Sequence, residues 1–152
     1  MLIVEYQSKS YYRFLTDLTQ ISSNNNRFLI TFNGASSDAI NSTLEEMLEK
    51  VDKEIKYSNV IPNQTSASEV SQLFDDVRKN NNILVFNNSD ILFDKRTAVK
   101  NSHERESDFD INNLFKCIAK HNGIVILATE KMQILSAAMS TKMNVVIRFP
   151  SI

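Results

Sequence analysis

Apolar and polar positions along the chain change period several times, and each change marks an element. Between residues 9 and 21, Phe14, Leu15, Leu18 and Ile21 recur at helical spacing. The run Arg27-Phe-Leu-Ile-Thr-Phe32 is short and continuously apolar, which suits a strand covered on both faces. Leu44, Met47, Leu48 and Val51 then form a second helical stripe, with Ser37 or Asp38 as its expected cap. Lys56-Tyr-Ser-Asn-Val-Ile-Pro62 reads as a weaker strand ended by proline. Val70, Leu73, Phe74 and Val77 make a third stripe, on a helix starting near Ser66 or Ser68.

Ile83-Leu-Val-Phe86 and Ile124-Val-Ile-Leu-Ala128 are the most apolar strands, and Val145-Val-Ile-Arg-Phe149 is a third. Ile111, Leu114, Phe115 and Ile118 place a helix between the first two, capped by Asp110 and closed at Asn122-Gly123. Gly123 is expected in the left-handed position beyond that helix, and His121 is expected to complement the helix C-terminus. A short helix near 132–139 joins the last two strands, and Asp94–Ser107 reads as an exposed loop. Strands alternating with helices predict parallel β-α-β units, a three-layer α/β/α sandwich of about five strands. Ligands of such sheets sit at the carboxyl ends of the strands, so the loops after Phe32, Phe86 and Ala128 hold the candidate site.

Composition narrows the function. The 152 residues are expected to form a single domain, 42% hydrophobic and 23% charged, as in globular proteins generally. A net charge of −1 gives no electrostatic case for nucleic acid. No signal peptide and no apolar stretch of roughly 20 residues is present in the sequence, so the expected location is cytoplasmic, with no membrane partner. Cys117 is the sole cysteine, a small hydrophobe on a helix face, so no internal disulfide can form. Asp90, Asp94, His103, Glu104 and Asp108 are the densest set of metal-ligand types, but their spacing matches no zinc or calcium pattern, and no metal is expected. Tyr11 and Tyr12 beside Arg13 fit an amphipathic helix better than a base-stacking surface.

The three candidate loops carry a family resemblance. Ile83-Leu-Val-Phe-Asn-Asn-Ser-Asp-Ile-Leu-Phe-Asp-Lys-Arg96 resembles the Walker B segment of AAA-type ATPases. Val99-Lys-Asn-Ser-His-Glu-Arg105, Ile124–Thr129 (the sensor-1 strand) and Val146-Ile-Arg-Phe-Pro150 continue it in order, so that the likeness spans about Arg27 to Pro150. Ser102-His-Glu-Arg105 resembles the subgroup associated with contractile injection systems. The resemblance implies a P-loop NTPase-like core, and its motifs then define what is missing. A P-loop reads GxxxxGK[ST], because amides cradle phosphates, lysine neutralises them and the hydroxyl holds magnesium. Here Asn33 takes the first glycine position, Asp38 the last, Ala39 the lysine and Ile40 the hydroxyl. Asn87 and Asn88 replace the magnesium-supporting aspartate and the water-activating glutamate. Glu130 takes the sensor-1 asparagine position, and Lys142 falls where arginine fingers lie, without their planar fork. The family's helical lid, which follows its core, has no counterpart before the sequence stops two residues after Pro150.

Only two glycines, Gly34 and Gly123, are present, too few for a loop that wraps phosphate closely. The expectation is a pseudo-ATPase without cofactor, a protein-interaction or scaffolding module whose partner is an active AAA-type subunit or a secretion-apparatus component. The family's rings are hexameric; without nucleotide or fingers, a monomer or dimer is expected. Two alternatives stay open. One is a nucleotide or small-ligand domain with altered chemistry, its positive charge supplied by Lys95, Arg96 or Lys142. The other is a remnant of a larger ATPase.

Overall fold

The computed structural model of the protein describes residues 1–24, 26–59, 66–93 and 111–150. Six parallel strands form one sheet there: β1 Leu2–Glu5, β2 Phe28–Asn33, β3 Ile55–Asn59, β4 Ile83–Asn87, β5 Ile124–Ala128 and β6 Val145–Arg148. Their spatial order is β1-β6-β2-β5-β4-β3. The helices are α1 Lys9–Ser23, α2 Ser37–Leu48, α3 Ala67–Asn80, α4 Ile111–Lys120 and α5 Ala137–Ser140, with a 3-10 turn at Ser89–Phe93.

Alternation along each strand sorts the core into two layers, because successive side chains leave a strand on opposite faces. Ile30 and Phe32 of β2, Val85 of β4, Ile126 of β5 and Val145 and Ile147 of β6 point toward α1 and α2. Leu29, Leu84, Phe86, Val125, Leu127 and Val146 point the other way, toward α3 and α4. Both layers are apolar, which is why the central strands read as unbroken hydrophobic runs rather than alternating ones. Helix α1 buries Tyr11, Phe14, Leu15 and Leu18 at the i, i+3, i+4, i+7 positions of one stripe. Helix α3 buries Val70, Phe74 and Val77 on the other face.

The three-layer parallel sandwich stands as the pattern predicts, and several details differ. The sheet has a sixth strand, β1, which pairs through Leu2–Glu5 with β6 alone. Four residues are too few to display a period, so Leu2-Ile-Val did not register as a strand. The cap of α2 is Ser36, whose hydroxyl accepts the Ala39 amide at 3.2 Å, rather than Ser37 or Asp38. The segment 132–139 is helical only from Ala137, after a Ser136 cap, because hydrogen bonds from distant side chains hold residues 130–133 in an irregular path.

Gly123 is not left-handed; Gly34 and three non-glycine residues are the positive-φ positions described. A side chain at Gly123 would instead meet the His121 ring, with its Cβ 2.7 Å from Nε2. The His121 side chain makes no hydrogen bond to the α4 terminus among the described residues either. Its ring is 3% exposed and lies against Phe74. Of the strand predicted over Lys56–Pro62, residues 56–59 are observed within β3, while Val60–Pro62, Asp110 and Asp94–Ser107 lie outside the described residues.

Candidate functional site

Strand order fixes where a ligand would sit. Strands β2 and β5 are neighbours, yet the chain leaves β2 toward the α1–α2 face and leaves β5 toward the α3–α4 face, where Leu135 and Met139 pack. Such a switch opens a crevice at the carboxyl ends of the two strands. Asn33 and Ala128 end the two strands, and Gly34 and Thr129 follow them.

Side chains and amides from both loops lace this crevice together. Thr129 is fully buried, and its hydroxyl accepts the Gly34 amide at 3.0 Å while its carbonyl accepts the Ala35 amide at 2.8 Å. Asn33, 4% exposed, brackets Gln133: its Oδ1 accepts the Gln133 amide at 2.8 Å, and its Nδ2 donates to the Gln133 carbonyl at 3.0 Å. The same Oδ1 lies 3.2 Å from the Thr129 hydroxyl.

A second brace comes from the turn after β4. The Asp90 carboxylate accepts the Glu130 amide through Oδ2 at 3.0 Å and the Lys131 amide through Oδ1 at 3.0 Å. Gln133 Nε2 adds a third bond at 2.9 Å. Consecutive backbone amides make an anion-binding concavity, and here the chain's own carboxylate occupies it. The braced loop carries Met132, which touches Gly34, and Ile134, which is 94% exposed.

The sequence-predicted site residues divide by place. Asn33 ends β2, and Asp38, Ala39 and Ile40 lie in the first turn of α2, with only Gly34, Ala35 and Ser36 between strand and helix. Ala39 and Ile40 are partly buried against the core, and Asp38 is an exposed carboxylate in the first turn of α2. That carboxylate already complements the positive end of the helix. Asn87 ends β4, and Asn88 follows in the left-handed region at φ 55, its amide 3.4 Å from the Asn59 side-chain oxygen. Asparagine tolerates this conformation at little cost. Glu130 is exposed and contributes its backbone amide to Asp90.

Lys142 does not join them. It precedes β6, at the opposite edge of a parallel sheet, with its ammonium 5.5 Å from the centre of the Phe115 ring. Its carbonyl accepts a bond from Arg27. The suggestion that Lys142 could supply positive charge to this crevice within the same chain is therefore corrected, while Lys95 and Arg96 fall outside the described residues. Asp90 serves as a brace here, and the other four residues of the carboxylate and histidine set also fall outside. Among the described residues no group of three or more His, Cys, Asp or Glu side chains could hold a metal. No helix among them is long and apolar enough to cross a membrane.

Asp90, Thr129 and Gln133 were not legible as site-builders. Each acts across more than forty intervening residues or against backbone, and no local period records that.

Comparison with curated proteins gives no match to the chain. The model of the AAA family, the ATPase family associated with various cellular activities, matches residues 50–151. The match takes in β3, β4, β5 and β6 and starts beyond the turn from β2 into α2. With more than half of its length under that match, and a parallel sheet whose crevice lies where a nucleotide-binding core would place one, the chain belongs to the AAA family.

Proposed function

We propose that this chain is a non-catalytic member of the AAA family, a pseudo-ATPase that serves as a protein-interaction or scaffolding module. The observation that carries the reading is the turn from β2 into α2. It has three residues, and the amides of Gly34 and Ala35 are both bonded to Thr129. A phosphate cradle needs free amides pointing at one centre. Two that could serve are bound elsewhere.

The side chains agree with the backbone. Ala39 and Ile40 bring neither ammonium nor hydroxyl, and Asp38 adds a negative charge where a polyphosphate would lie. Asn87 and Asn88 offer amides where an attacking water would need a base. Isothermal titration of the full chain with ATP and magnesium tests this. No heat of binding is expected at sub-millimolar concentration, and micromolar affinity would reject the reading.

The partner is a protein, an active AAA-type subunit or a component of a secretion apparatus, met in the cytoplasm by a monomer or dimer of this chain. The order of segments from Walker B to the final strand supports the first, and Ser102-His-Glu-Arg105 the second. Affinity purification from the native source with mass spectrometry checks it. One of these two classes should be recovered in near-stoichiometric amount; recovery of the chain alone would count against a scaffold.

A further inference from the structure

His121 lies at the amino edge of the sheet, between the end of α4 and the start of β5, opposite the crevice described above. Its imidazole is 3% exposed, and neither Nδ1 nor Nε2 has a hydrogen-bond partner among the described residues. Buried polar atoms are nearly always partnered, so two orphaned nitrogens in one ring call for a reason.

The surroundings show how the ring is held. Phe74 of α3 meets it edge-on, with centroids 5.5 Å apart and planes at 70°. Gly123 leaves room for it: a Cβ there would stand 2.7 Å from Nε2. The backbone on either side is fixed, with the His121 amide donating to Ile118 at 3.2 Å and the Gly123 carbonyl accepting the first amide of β2, from Phe28, at 3.0 Å. Among the described residues the charges that act on the ring are both positive, Arg78 from α3 and Lys53 from the segment before β3. Arg78 is paired with Asp75 at 3.3 Å, and Lys120 precedes His121 in α4.

We propose that His121 is an acid-sensitive latch, a ring that packs beneath α3 only as neutral imidazole, so that uptake of one proton is incompatible with the packed amino edge of the sheet. An imidazolium has two N–H donors, and neither would find an acceptor among the described residues, while desolvation of the charge is unfavourable. Burial holds the imidazole below its ordinary value, and Arg78 and Lys53 push the same way.

The sign follows from proton counts. Below the ordinary imidazole value of about 6.5 the unfolded chain binds a proton that the folded chain refuses, so stability falls as pH falls. The folding constant drops by up to about tenfold per pH unit, and the drop ends once the lowered folded value is passed.

Urea denaturation of the full chain between about pH 7.5 and 5.5 brackets that value and reads the slope. Histidine ring NMR reads the group itself, since the chain has only two histidines, His103 and His121. Expected is a wild-type slope that vanishes in His121→Gln and persists in His103→Gln, with the His121 ring neutral while the protein is folded. Equal slopes in wild type and His121→Gln would overturn the proposal. So would a folded-state His121 ring that titrates at or above the ordinary value, a result that needs no variant to fold.

Discussion

At the carboxyl edge the Asp90 side chain joins two loops. Its carboxylate meets the amides of Glu130 and Lys131 and the side chain of Gln133, tying the turn after β4 to the loop after β5. Truncation to alanine removes all three bonds and leaves the amides to water; a cost of about 1–3 kcal/mol is expected in urea denaturation. Faster hydrogen exchange at Glu130 and Lys131 would locate the loss, and unchanged exchange would show that the brace is not needed. Gly34 fills a different need, a φ of +77 on which Ala35 and Ser36 turn into α2. Gly34→Ala forces an ordinary residue into the left-handed region and brings its Cβ to 3.2 Å from the Met132 methyl carbon. About 1–2 kcal/mol of destabilisation is expected from the backbone alone, measured as a lower urea midpoint. Tyr11 sets the behaviour in alkali. Burial in α1, with the hydroxyl donating to Glu46 at 3.3 Å, pushes its pKa well up. Above about pH 10 the unfolded phenol ionises while the folded one holds its proton, so stability falls as pH rises. Tyr11→Phe should flatten that alkaline decline, followed by circular dichroism across pH 9 to 11, roughly one unit either side of the ordinary tyrosine value.

Each element that the sequence declared strongly is one whose own side chains decide it. Strands β4 and β5 are apolar on both faces, and the stripes of α1 and α3 repeat at helical spacing, so local pattern and burial agree. Helix α3 is the fullest case. Ser66 caps it by accepting the Glu69 amide at 3.2 Å, the Ser66 hydroxyl donates to the Glu69 carboxylate at 3.3 Å, and Asn81 ends it in the left-handed conformation. Ser66→Ala should cost about 1 kcal/mol in thermal or urea unfolding, and no loss would mean that tertiary packing alone defines the helix start. Elements were misread where a distant partner decides. Residues 132–136 look helical in isolation, but Asn33 captures the Gln133 amide and Asp90 the Lys131 amide just before the segment. Gly123 has the composition of a helix stop, yet the space it leaves belongs to the His121 ring. Strand β1 exists because β6 offers it an edge. At the candidate site, likewise, the residue types at 33, 38–40, 87 and 88 were legible, whereas the bonds from Thr129 and Asp90 that close the crevice depend on two loops meeting in space.

At the scale of the whole molecule, the proposed reading leaves one question, whether side chains alone or also the backbone of the turn from β2 into α2 would bar ATP chemistry. The two answers predict different outcomes for one experiment. Asp38→Gly, Ala39→Lys and Ile40→Thr combined with Asn87→Asp and Asn88→Glu would supply the residue types that the sequence resemblance assigns to these positions. If side chains were the whole deficit, that fivefold variant would bind and turn over ATP. The structure argues otherwise, because strand and helix are separated by three residues, and Thr129 holds the amides of Gly34 and Ala35. Asn33 also ties the end of β2 to Gln133, and Ala39 and Ile40 are partly packed into the core where their replacements would have to emerge. Loop rearrangement would need those bonds broken together, at about 1 kcal/mol or more apiece for buried groups. The expected result is a folded variant with no phosphate release above background in a coupled assay and no thermal shift with ATP and magnesium. A ligand at 100 times its dissociation constant would stabilise by about 2.7 kcal/mol, so real binding would not escape detection. Measurable turnover would show instead that the turn is malleable and that these five side chains alone decide whether the sheet can hydrolyse ATP.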